Sequence, residues 1–224
     1  MRGYRIVGTH SIRASSHAVK PDRLVVGFDL DMTLIDPRRG VEAAMTALET
    51  ETGTGIDVQW VVDHLGPPLE TVLARWLPAN EVDGAAWRYR ELFGTLGIAT
   101  TEAMPGAPSA VQSVRDLGGM VLVVTAKYEP HAWQSLAAIG VDVDVVVGWR
   151  YGSAKGQTLR EHGAHLYVGD HLADVIAARE GGAIAVMVPT GGHSSWELAN
   201  AGADVVLPSL EDFPAWLQRY RART

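Results

Sequence analysis

Asp29 and Asp31 stand one residue apart at the end of the short apolar run Val25, Val26, Gly27, Phe28. Side chains alternate along an extended chain, so both carboxylates face the same way if the strand runs through them. Two like charges at the mouth of an apolar strand repel, and burying them unpaired is costly. Other reactive groups follow at intervals. "VVTAKYEP" carries Thr125 and Lys127 just past an apolar run, and "YGSAKGQTL" places Lys155 at a helix start. "LYVGDHLAD" ends in Asp170, with Asp174 one helical turn further on. Acids, a hydroxyl and lysines in this mixture could hold a cation and a phosphate, provided the fold brings them to one place.

The elements that would do so are legible. β-branched runs recur at 24–28, 120–126, 143–148, 165–170, 183–189 and 203–208. Helical patterns lie between them near 106–117, 130–139, 155–162, 172–181 and 194–201. Apolar strands separated by helices predict an α/β fold, a Rossmann-like parallel sheet covered on both faces. From about Pro37 to Met104 the rhythm breaks into amphipathic helical stretches without a convincing strand, which predicts an α-helical insert after the first strand. Ligands of open parallel sheets bind outside the carboxyl ends of the strands, the rim to which every residue named above belongs. A divalent cation would neutralise the clustered acids there, and oxygen-only ligands suit Mg²⁺. The lysine and the hydroxyl suit a phosphate on the far side of the metal.

Composition bounds the partners. The 224 residues are 47% hydrophobic, enough for one full core or a core with an insert. The formal charge of −7, with scattered lysines and arginines, argues against nucleic acid or an anionic membrane. No apolar run reaches the roughly 18 to 20 residues that span a bilayer. The absence of cysteine removes disulfides and thiolate chemistry and fits a cytoplasmic protein. Residues 1–21 read as a flexible N-terminal extension, a short strand at Tyr4 to Val7 being the alternative.

Four strings occur in order that together resemble the motifs of the haloacid dehalogenase-like (HAD) phosphohydrolases. "FDLDMTLID" is similar to their Asp-x-Asp-x-Thr, Thr125 falls at the second motif, Lys155 at the third, and "VGDHLADV" is similar to Gly-Asp-x-x-x-Asp. "MPGAPSAVQSVRDLGG" and "LGPPLETVL" resemble the phosphoglycolate-phosphatase-like branch, which carries a helical cap between its first two motifs. The resemblance implies a core of residues 22–36 and 105–224 with a cap at 37–104. It implies Asp29 as nucleophile, forming an aspartyl-phosphate, and Asp31 as the acid and base that serves the leaving oxygen and then water. Mg²⁺ would be held by Asp29, the backbone carbonyl of Asp31 and Asp170, with Asp174 in support. Thr125, with Ala126 beside it, and Lys155 would bind phosphoryl oxygens. The dehalogenases of this superfamily lack the second Asp, so Asp31 favours phosphate over halide. The chain departs from its relatives at Ala126, where Asn is frequent, at Met32, where Gly is usual, and after Lys155, where a proline is missing.

Other readings compete at single positions. Asp29 and Asp31 could open a calcium loop, but Thr33-Leu34 stands where Asn/Asp-Gly is needed. Asp174 also suits a helix start through the dipole, and the role of Lys127 stays open. The eight histidines show no metal-ligand pairing, and Trp60, Trp76 and Trp87 read as cap core. The cap holds ten acids against five arginines, which disfavours polyanionic substrates. Arg38 and Arg39, at the hinge into the cap, are close enough in sequence to reach a substrate carboxylate or second phosphate; the alternative is a solvated linker pair. The expected activity is hydrolysis of a small phosphorylated metabolite by a monomer or homodimer. The runner-up is a sugar-phosphate mutase, and a phosphate-binding regulator without turnover is the reading from another class.

Overall fold

The computed structural model describes residues 23–223; the extension at 1–21 and its candidate strand lie outside the described residues. The chain begins with β1 (Val25–Phe28), buried along its whole length, and a tight turn leads to β2 (Ile35–Asp36). Four helices follow, α1 (Arg38–Thr52), α2 (Val58–Asp63), α3 (Leu69–Leu73) and α4 (Ala79–Leu92). β3 (Glu102–Ala103) then pairs antiparallel with β2, Ile35 opposite Ala103 and Asp36 opposite Glu102. This ribbon corrects the expectation that 37–104 holds no strand. Two residues are too short to leave an alternating pattern, and only the pairing defines them.

Beyond the ribbon, strands and helices alternate: α5 (Ala107–Asp116), β4 (Met120–Val124), α6 (Glu129–Ala138), β5 (Val145–Val147) and α7 (Ser153–Glu161). β6 (Leu166–Gly169), α8 (Leu172–Gly181), β7 (Ile184–Met187), α9 (Ser195–Asn200), β8 (Val205–Val206) and α10 (Phe213–Arg221) complete it. Each anticipated strand is present, shortened at its ends. α10 was not anticipated from the pattern; its Phe213 and Leu217 are fully buried against the sheet.

The six-stranded sheet runs in the order β5-β4-β1-β6-β7-β8 with every pair parallel. Alternation along each strand feeds two cores. Val26, Phe28, Val121 and Val123 pack towards α5, α6 and α10, whereas Val25, Leu122 and Val124 pack towards α7 and α8. Burial on both faces is why these strands read as continuous apolar runs. The inserted helices bury a third cluster of their own, including Val41, Met45, Leu48, Leu73 and Phe93. β1 lies at the centre, and Phe28 is in register with Val123 of β4 and Val168 of β6. Asp29 therefore emerges one residue past that level, between Thr125 and Asp170. The chain reverses its strand order at this point, where open sheets take their ligands.

Candidate active site

Asp29, Asp170 and Asp174 bring one carboxylate oxygen each within 4.8 Å of one another, all three buried. Lys155 enters from the first turn of α7 and places Nζ 2.9 Å from Asp29 and 2.7 Å from Asp174. Asp170 accepts a 2.8 Å hydrogen bond from Thr33, and Thr125 is buried at the end of β4. Asp174 serves twice. One oxygen takes Lys155, and the other accepts from the backbone N–H of His171 in a capping box that opens α8. The helix-start reading of Asp174 is thus seen in the capping box, and its other oxygen lies in the acid–lysine cluster where the resemblance would have it support a metal.

The electrostatics of this cluster are unbalanced. Burial pushes Asp29 up to about 7, opposed by Lys155 and reinforced by Asp174. Asp170 is raised well above the usual carboxylate range by burial first, then by Asp174 and Asp29. Burial pulls Lys155 down, but Asp174 and Asp29 outweigh it and its pKa is raised. With all three carboxylates ionised, the one ammonium would leave two negative charges uncompensated, and the raised values of Asp29 and Asp170 express that cost. Two charges are what a divalent cation balances, and an all-carboxylate donor set suits Mg²⁺.

Asp31 is elsewhere, which corrects the expectation of two parallel carboxylates. β1 does not run through it: the N–H groups of Thr33, Leu34 and Ile35 all bond to Leu30 O, and Met32 takes φ 61° to close the turn. That left-handed conformation favours glycine, and Met32 offsets its strain by burying its side chain in the core. The turn swings the Asp31 carboxylate out of the acid cluster and onto Lys127, with Nζ–O distances of 2.9 and 3.2 Å. The position of Lys127 in the chain does not assign it a role; the contact makes it the partner of Asp31. Thr125 accepts from the Lys127 backbone N–H at 3.1 Å, so the two motif residues orient each other.

Two glycines allow this closeness. A Cβ on Gly169 would lie 2.5 Å from an Asp174 oxygen, and one on Gly191 would collide with Asp170. The "PTGGHSS" loop thus backs the acid cluster, and Thr190 ties it down with a 2.5 Å bond to Met32 O. Tyr167, buried beneath Lys155, donates to Val124 O at 2.9 Å.

Asp31, Ala126 and Lys127 form one side of a cavity of about 100 Å³ between sheet rim and inserted helices. Tyr128 and His131, from the start of α6, join that side, and the other walls come from the insert; Arg90, Tyr128 and His131 reach the cavity without any sequence signal that marks them. Arg90 is 7% exposed, bonded to Glu70 at 2.5 Å and stacked near the adjoining rings of Trp87 and Trp149. Trp87 is 53% exposed and touches Tyr128 and Trp149 of the sheet side, so it is not part of the insert's core; Trp60 and Trp76 do pack there. Arg38 and Arg39 fall outside the cavity. Arg38 forks onto Asp36 at 2.5 to 3.1 Å, and Arg39 pairs with Glu102 across the ribbon at 2.8 Å. Because α1 starts at Arg38, both project from its exposed first turn, and nearby ribbon carboxylates capture them. Among the described residues no histidine joins the metal-capable cluster; His171 caps α8 and packs on His193 instead.

The chain is thus an α/β protein with a helical insert and a buried acid–lysine site at the switch point of its parallel sheet. Residues 26–188 match the family model described as haloacid dehalogenase-like hydrolase, and the chain belongs to that family. No curated protein sequence matches. The fold is similar to that of a predicted phosphatase from Clostridium acetobutylicum, with TM-score 0.76, 22% identity and coverage of 88% of this chain and 99% of that one. It is also similar to a predicted phosphoglycolate phosphatase from Haemophilus somnus 129PT, with TM-score 0.73, 18% identity and coverage of 88% and 98%. A haloacid dehalogenase-like hydrolase from Streptococcus pneumoniae gives TM-score 0.74, 21% identity and coverage of 89% and 98%.

Proposed function

We propose that the protein is a Mg²⁺-dependent phosphatase that hydrolyses a small phosphomonoester in the cytoplasm through an aspartyl-phosphate on Asp29. Residues 22–36 and 105–224 would form the catalytic core and 37–104 the cap. The observation that carries the reading is the separation of the two motif carboxylates. Asp29 lies in the acid–lysine cluster, whereas Asp31 faces the cavity where an alcohol leaving group would sit. One strand end thereby supplies two carboxylates with two environments, as nucleophile and acid require.

Asp29, Asp170 and the backbone carbonyl of Asp31 would hold the metal, with Asp174 in support. When bound, the ion offsets the negative charge that otherwise repels a phosphate dianion from a carboxylate. Asp29 would attack phosphorus in line, and Lys155 with Thr125 and the Ala126 backbone would take the equatorial oxygens. Asp31 would give its proton to the leaving oxygen and take one from the water that splits the acyl phosphate. Lys127 keeps Asp31 pointed at the cavity. A mutase would need to hold a second phosphate there, and both cations of the cavity already have carboxylate partners.

The test is release of p-nitrophenolate from p-nitrophenyl phosphate. Turnover should vanish on chelation and return with Mg²⁺, while Ca²⁺ supports little because its larger shell suits the in-line geometry poorly. Full activity after exhaustive chelation contradicts the metal assignment. Isomerisation of a sugar phosphate without phosphate release marks a mutase.

A further inference from the structure

From the walls of the cavity at Asp31 we infer that the alcohol portion of the substrate is a small, uncharged, predominantly apolar group, not a carboxylate-bearing one. The inference rests on the phosphatase reading and deepens it.

The cavity is on the leaving-group side. Asp31, Ala126 and Lys127 line it, whereas Asp29, Lys155, Asp170 and Asp174 do not. His64, Tyr89, Tyr128 and His131 bring polar groups to the lining, but much of the rest is hydrocarbon: Val41, Met45, Val61, Leu65, Val72 and Phe93. All but Leu65 belong to the buried cluster of the insert, which makes this face a part of a core turned towards the substrate. A volume of about 100 Å³ holds several waters, and therefore a group of a few carbons in their place.

The cations decide against an acidic group. Lys127 and Arg90 are the lysine and arginine of the lining. Lys127 is bound to both oxygens of Asp31 and lies 4.4 Å from the Phe93 ring centre. Arg90 is bound to Glu70 and has Trp149 and Trp87 at 4.4 and 5.0 Å. A substrate carboxylate would have to strip one of these from its partner and leave a second anion in the same small space. Burying an unpaired charge is far costlier than burying methyl groups. His131 does not change this balance: burial, then Lys127 and Arg90, push its pKa down to about 4, so it is neutral near pH 7. Arg38 and Arg39 are held by Asp36 and Glu102 outside the cavity.

Isobutyl phosphate and phosphoglycolate test this directly, because the first replaces the two carboxylate oxygens of the second by methyl groups. With the Mg²⁺-loaded protein, kcat/KM should favour isobutyl phosphate at least tenfold. In the series methyl, ethyl, propyl phosphate each methylene should add about fourfold until the cavity is full. An equal or higher kcat/KM for phosphoglycolate, or a flat series, overturns the inference. If neither ester releases phosphate while p-nitrophenyl phosphate is turned over, the inference fails; if none of the three does, the phosphatase reading itself fails. The cavity is then read by calorimetry with the matched phosphonates. Tighter binding of 3-methylbutylphosphonate than of 3-phosphonopropionate sustains the inference, and the reverse order, or no binding of either, overturns it.

Discussion

Replacing Asp29 by Asn should make the metal-free protein more stable above neutral pH while abolishing turnover. Asp29 is buried, and its carboxyl stands near pKa 7 instead of 3.8. Each pH unit between these values corresponds to about 1.4 kcal/mol, so ionising Asp29 in the metal-free fold costs on the order of 4 kcal/mol. The sign follows from the folded pKa lying above the unfolded one. Below pH 3.8 both states carry the proton and nothing is lost; the cost grows through the interval and is complete above about 7. Asn has the same shape, can accept the 2.7 Å bond from Leu30 N–H, and leaves Lys155 its 2.7 Å contact with Asp174. Urea unfolding in EDTA should therefore show the variant more stable than the parent by roughly 2 to 4 kcal/mol at pH 8, with the gap reduced to about 1 kcal/mol or less at pH 4.5. Adding Mg²⁺ should stabilise the parent and narrow the gap. A variant that is no more stable at pH 8, or a gap independent of pH, refutes the account of this cluster as charge held ready for a cation.

Asp31→Asn should slow hydrolysis of an alkyl phosphate by about 10²- to 10⁴-fold, yet p-nitrophenyl phosphate, whose leaving group needs no proton, by far less. Equal losses for the two esters count against Asp31 as the acid. Gly191→Ala should raise the Mg²⁺ concentration for half-maximal activity about tenfold without unfolding the chain, because the added methyl displaces Asp170. An unchanged metal titration shows that the loop yields or that Asp170 is not a ligand. His131, with a folded pKa of about 4 against the ordinary 6.5, contributes stability that is complete above 6.5 and lost as the pH falls through 4. His131→Gln should flatten that part of the acid unfolding curve, and a parent-like slope in the variant rules out His131 as its source.

By itself the sequence determined the alternation of buried strands and helices, the strand-end groups Asp29, Thr125 and Asp170, and the helix-start groups Lys155 and Asp174. These are legible because each is local. A strand buried on both faces is a continuous apolar run, and a residue at its end stays at its end whatever the tertiary arrangement. The two-residue ribbon at Ile35–Asp36 and Glu102–Ala103 had no such local signal, since its register exists only between segments far apart in the chain. The same holds for the division of labour at the site. A strand extended through Asp31 would have set both carboxylates side by side, and nothing in the string announces that three N–H groups will converge on Leu30 O and turn the second one away. Lys127 lies 96 residues from Asp31, and Arg90 meets Trp149 only when the insert settles on the rim. Arg38 and Arg39 show the converse: proximity along the chain suggested the substrate, and nearer carboxylates took them. Which cations are free and which are spent depends on distances between side chains from different elements, and that is a property only the folded chain has.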